Sequence, residues 1–105
     1  MSVGFTPGGT ICVYDFETLT VSSTALPVTE SKRVPGANIG RCRYLFCTVE
    51  TDQVRYRLDG GAPTATVGHL VSVGQNIEVH GEENVQNFRI IRVTADATVP
   101  MSFGR

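Results

Sequence analysis

Residues in the middle of the chain sort onto two faces with a period of two. In residues 41–50, Leu45, Cys47 and Val49 share one face and Tyr44 and Phe46 the other. Apolar side chains on both faces predict a strand at the centre of a sheet, or one with a face on a subunit partner. Residues 53–58 alternate more cleanly: Val54, Tyr56 and Leu58 point inward, while Arg55, Arg57 and the following Asp59 point out. Further strands are predicted over residues 67–73, around Ile77 and Val79 with Glu78 and His80 opposed, and over residues 88–94. Val99, Met101 and Phe103 alternate in a last strand, which Pro100 predicts to be an edge. Turn chemistry separates these runs at Asp59-Gly60-Gly61-Ala62-Pro63-Thr64, Gly74-Gln75-Asn76, residues 81–84 and Ala95-Asp96.

The first third is less regular. Residues 11–16 are a strand candidate, and residues 17–22, where Leu19 and Val21 alternate with Thr18, Thr20 and Ser22, continue or follow it. Residues 23–39 read as one long loop carrying Pro27, Pro35, Gly36 and Asn38. Loops of that length are commonly functional. Residues 1–10 read as an extended arm: Gly4, Pro7, Gly8 and Gly9 prevent regular structure, and Val3 and Phe5 offer apolar side chains to a partner. One helical competitor exists in residues 82–93, where Val85, Phe88 and Ile91 recur every third position. The β-branched run Ile90-Ile91-Arg92-Val93 favours a strand instead. About seven short strands with frequent turns predict an all-β, single-domain antiparallel β-sandwich, Ig-like or jelly-roll-like. The sandwich is expected over residues 11–105, after the arm.

A length of 105 residues fits this single domain. Nine Lys and Arg against ten Asp and Glu leave a net charge of −1, so no basic excess exists to neutralise a phosphate backbone. No nucleic-acid partner is therefore expected. No apolar run approaches the ~20 residues of a membrane span, and the first residues lack the basic and apolar regions of a signal peptide. The expectation is a chain made and folded in the cytoplasm, with no membrane partner. Eight of the nine basic residues are Arg, with Lys32 the exception. Interfaces favour Arg over Lys, and codon bias produces the same skew.

The chemistry of catalysis is not visible. His69 and His80 stand in no motif with a nucleophile and a carboxylate, and two histidines alone make a poor zinc site. Cys12, Cys42 and Cys47 have no metal spacing. Five residues apart in a predicted strand, Cys42 and Cys47 have Cα atoms ~17 Å apart, beyond the ~7 Å reach of a disulfide. Buried structural thiols are expected. Glu82-Glu83 reads as a solvated turn, and neither Gly8-Gly9 nor Gly60-Gly61 precedes the Lys-Ser/Thr pair of a phosphate loop. Most aromatic residues fall at positions that read as core. No enzyme activity, cofactor or metal is expected.

Residues 16–105 resemble small virion proteins encoded by tailed bacteriophages. Those proteins carry a V-S-S-T-A run, matched by residues 21–25, and T-V-E, matched by residues 48–50. A longer run, R-Y-R-L-D-G-G-x-P-T-A-T-x-G-H, is matched by residues 55–69, and N-F-R-x-I-R by residues 87–92. Gly74-Gln75-Asn76, where an acidic residue is common in the family, and residues 32–40 depart from the pattern. The resemblance implies a structural virion protein, with capsid decoration the leading expectation and a neck or tail component the alternative. A carbohydrate-binding attachment module is a further alternative. The implied partners are the major capsid protein and the chain itself, as a homotrimer at threefold sites on the virion. Candidate contact residues are Val3 and Phe5 on the arm, Lys32 and Arg33 in the long loop, and Arg55, Arg57 and Asp59 on the outward face of their strand.

Overall fold

The computed structural model describes residues 11–36 and 40–105. The expectation for residues 1–10, including Val3 and Phe5, lies outside the described residues. Eight strands occur among those described: β1 (Val13–Val21), β2 (Leu26–Pro27), β3 (Tyr44–Thr48), β4 (Val54–Arg57), β5 (His69–Val71), β6 (Asn76–His80), β7 (Arg89–Arg92) and β8 (Ala97–Gly104). Two short helices, α1 (Glu30–Arg33) and α2 (Glu82–Asn87), lie between them. The strands form two antiparallel sheets, ordered β1-β8-β3-β6 and β2-β7-β4-β5. The protein is an all-β sandwich, as the alternation predicts.

The period-two pattern explains the core. Leu45, Cys47 and Val49 from β3 and its end meet Val99, Met101 and Phe103 of β8 and Ile77 and Val79 of β6, all at 2% exposure or less. Val54 and Ile90 from the opposite sheet, and Phe88 at the end of α2, are fully buried. Among the described residues no charged or polar residue is buried as a whole, so the interior largely escapes the penalty for unpaired polar groups, the buried Arg33 Nε aside. Every connection between successive strands crosses from one sheet to the other, except that from β4 to β5.

Of the two readings of residues 11–22, the continuous one holds: they contain one strand, β1, with a register shift between Val13 and Asp15. Other expectations need correction. Residues 23–39 are not one loop, because β2 pairs with β7 and α1 follows it. Three side-chain bonds pin α1 to β1: Thr29 Oγ1 donates to Glu17 Oε2 at 2.6 Å, Lys32 Nζ to Asp15 Oδ2 at 2.7 Å, and Tyr14 O–H to the Lys32 carbonyl at 2.5 Å. The predicted turn at residues 81–84 opens α2, whose Glu82 and Glu83 complement the positive end of the helix. Val85 anchors this helix in the core at 0% exposure, and the chain turns extended at Phe88 (ψ 131°). Helix and strand readings of residues 82–93 are thus each right for part of the segment.

Pro100 does not mark an edge. β8 is an inner strand, with β1 on one side and β3 on the other. Its ladder to β3 runs through Cys47↔Met101, lapses at Thr48 and Pro100, and resumes in the same register at Glu50↔Thr98. Glu50 and Thr98 exchange both backbone bonds, at 2.8 and 3.0 Å. Backbone groups alternate sides along a strand, so Pro100 faces β3 at the position that would need its missing N–H. One lost rung lets the proline sit inside the sheet.

Candidate functional site

The outer surfaces of the two sheets differ in chemistry. On the β1-β8-β3-β6 sheet, the buried residues of β8 and β3 leave Thr98, Pro100, Ser102, Tyr44, Phe46 and Thr48 facing out. The bulge in β1 puts both Val13 and Phe16 on this same outer face, opposite Gly104 and Ser102. Val13 is 58% exposed and Phe16 57%. Two outward carboxylates stand among these paired positions, Glu50 across from Thr98 and Glu78 on the edge strand β6; Tyr44 O–H donates to Glu78 at 2.7 Å. That bond, followed by the nearby His80, holds the Glu78 carboxyl below its usual range. Burial first, and then Glu78, push the Tyr44 phenol up to about 12. The Tyr44 ring meets His80 edge-on at 5.1 Å. The aromatic residues are therefore split: Phe88 and Phe103 are core, whereas Phe16 is displayed.

The β2-β7-β4-β5 sheet turns arginines outward. Arg55 and Arg57 share one face of β4, as the alternation predicts, and both reach back to the loop that follows. Arg55 donates from Nε to the Ala65 carbonyl at 3.0 Å and from Nη1 to the Gly68 carbonyl at 2.9 Å. Arg57 grips Asp59 with a two-pronged fork, Nε to Oδ1 at 3.0 Å and Nη2 to Oδ2 at 2.5 Å. The Gly61 N–H caps the same carboxylate at 3.1 Å. Thr64 Oγ1 accepts the N–H groups of Thr66 and Val67 at 3.3 and 3.0 Å, closing the tip. A side chain at position 61 would collide with the Arg57 guanidinium, since its Cβ would lie 2.6 Å from Nη2. Glycine there lets the fork close. The expected set Arg55, Arg57 and Asp59 thus comes together, and its first role is to brace residues 59–68.

His69 bonds no carbonyl among the described residues. Its ring lies 5.3 Å from that of Tyr56, and with Arg57, Leu58 and Asp59 it lines a shallow hollow of about 340 Å³. Lys32 is engaged by Asp15 at 2.7 Å. Arg33 carries a buried Nε with no hydrogen-bond partner among the described residues, while its carbonyl accepts from the Cys42 N–H and Gln86 Nε2. The structure does not bring Lys32 and Arg33 together with Arg55, Arg57 and Asp59, because α1 is tied to β1 in the other sheet. Of the three thiols, Cys42 and Cys47 are buried and Cys12 is exposed, correcting the expectation for Cys12. Among the described residues, no three His, Cys, Asp or Glu side chains gather to hold a metal. No helix there is long and apolar enough to cross a membrane.

Sequence reasoning missed Arg89. It stands directly across from Arg57 in the β4–β7 register, on the outer face. No local signal reveals this neighbour, because β4 and β7 are separated by two other strands and a helix. No protein family matches the chain, and neither does any curated protein or solved structure.

The Arg57 fork, followed by the Gly61 N–H, holds the Asp59 carboxyl down to about 2. A depressed carboxyl stabilises the fold above its unfolded range, near pH 4, and that contribution disappears as pH falls through about 2. Carbon-detected NMR titration is expected to place the Asp59 midpoint near pH 2. Arg57→Gln should return it to the ordinary range, and an unchanged midpoint would show that the fork is not the cause.

Proposed function

We propose that the chain is a structural protein of a tailed-phage virion: a capsid decoration, or cement, protein. It binds the outer surface of the major capsid protein shell, as a homotrimer, and holds the shell against internal DNA pressure. The motifs of residues 21–25, 48–50, 55–69 and 87–92 support this reading. The observation that carries it is the display of Val13 at 58% exposure and Phe16 at 57% on the outer face of the β1-β8-β3-β6 sheet, whose paired positions carry only two carboxylates, Glu50 and Glu78. Displayed apolar side chains on a sheet whose own core is complete suit contact with another protein. Such contacts need not be strong singly, because several copies acting together gain from effective concentration. Binding only the assembled shell stabilises it by mass action.

The test is cosedimentation of the purified protein with expanded shells of the encoding phage, together with heat resistance of particles with and without it. Bound protein and raised heat resistance are expected. Phe16→Ser should weaken shell binding about tenfold while shifting the unfolding free energy by no more than about 0.5 kcal/mol, as for an exposed site. No binding by the wild type, or antibody label confined to one vertex of the particle, would remove the decoration reading.

A further inference from the structure

We infer that the outer face of the β2-β7-β4-β5 sheet, centred on Arg89, docks a carboxylate-bearing segment of a partner protein. Register places Arg89 across from Arg57, with Pro27 on the other side of Arg89. The next outward row is Ile91, Arg55 and Leu70. Three guanidinium groups therefore share two adjacent rows. Like charges directly opposed on a sheet are destabilising, and a single carboxylate, that of Asp59, answers them. Asp59 is already held by Arg57 at two points. Arg55 is engaged by two carbonyls. Arg89 makes no side-chain hydrogen bond or ion pair among the described residues, although it is half-buried between its neighbours.

An arriving carboxylate would satisfy the Arg89 fork and relieve its repulsion with Arg57 in one step. Arginine is suited to this, because its planar donors match a carboxylate two at a time. Exposed Leu70 and Pro27 flank the cluster and would shield the new pair from water, which strengthens it. Phosphate has similar geometry. A nucleic acid, however, is held by a broad positive field, and this chain has a net charge of −1. The observations therefore favour an acidic protein segment. Naming the shell protein as its bearer rests on the capsid-decoration reading; the carboxylate chemistry does not.

Two measurements separate these claims. In the first, the Arg Nε–H resonances of the full chain are followed by NMR during titration with pentaglutamate, pentalysine or a short single-stranded DNA. Pentaglutamate is expected to shift the Arg89 Nε–H saturably, with pentalysine silent and DNA weaker. An unmoved Arg89 signal, or DNA binding tighter than pentaglutamate, overturns the inference whatever the shell does. In the second, Arg89→Glu and Arg89→Lys are compared with the wild type for shell binding, with thermal unfolding as a check on folding. Arg89→Glu is expected to lose about tenfold or more in affinity, with Arg89→Lys between the two. Wild-type binding that Arg89→Glu leaves intact rejects this face as the shell contact while the decoration reading stands. A wild type that ignores shells but binds pentaglutamate at Arg89 rejects that reading and keeps the site.

Discussion

Phe103→Ala is expected to lower the unfolding free energy by about 3–5 kcal/mol, the range for truncating a buried phenylalanine. Phe103 is fully buried on β8, paired in register with Leu45 on β3 and Asp15 on β1. It therefore sits where the sheet is covered on both sides, and neighbouring strands cannot collapse into the vacated space. A domain of this size has only about 5–15 kcal/mol of total stability, so a large part of it would be lost. Urea unfolding should show a lower midpoint with an unchanged slope. Phe16→Ala is the internal control: the same residue type, one strand away and 57% exposed, should move the midpoint little. Equal effects at the two positions would contradict the assignment of inner and outer faces.

Cys47 is expected to be silent to thiol reagents until the protein unfolds. Burial pushes its thiol up to about 12. At pH 8 its thiolate is then about a thousandfold scarcer than that of an ordinary thiol, before access is considered. Labelling with a chromogenic disulfide should titrate one thiol in the native protein, Cys12, and all three in denaturant. The same burial gives stability a pH dependence. Between about pH 9 and 12 the unfolded chain releases this proton and the native chain keeps it. The unfolded state then binds fewer protons, so stability falls as pH rises, by roughly 1.4 kcal/mol per pH unit from this group. Partial burial raises Tyr14 and Tyr44 in the same direction. Cys47→Ala should flatten the alkaline fall. Rapid labelling of Cys47 in the native state, or a fall unchanged by that substitution, would rule out a buried neutral thiol.

The fold was legible wherever apolar residues alternate without interruption. Leu45, Cys47 and Val49, and again Val99, Met101 and Phe103, report their buried side directly because a strand repeats every two residues. Legibility failed where the phase changes. The bulge at Tyr14 and Asp15 turns Phe16 outward, and one extra residue in a strand leaves no compositional mark. Pro100 misled because the proline rule assumes that a missing N–H cannot face a paired strand, whereas the ladder to β3 drops one rung at Thr48 and resumes at Glu50. In residues 23–39, β2 is two residues long and α1 four, too short for periodicity to register. The site divides in the same way. Arg55, Arg57 and Asp59 could be placed on one face from their spacing alone. Arg89 could not, since its place beside Arg57 follows from the pairing of strands distant in sequence.

The order of strands in the first sheet has a consequence for how the protein is made. Among the described residues β1 has β8 as its sole sheet neighbour, and β8 also joins β1 to β3. During synthesis β1 leaves the ribosome with β8, some eighty residues further on, still untranslated. Its backbone amides and its displayed Phe16 must wait in water, or in the grip of a chaperone, until the closing strand emerges. Assembly is then all at once rather than stepwise, which predicts slow, cooperative maturation typical of distant pairings and a nascent chain prone to sticking to its neighbours.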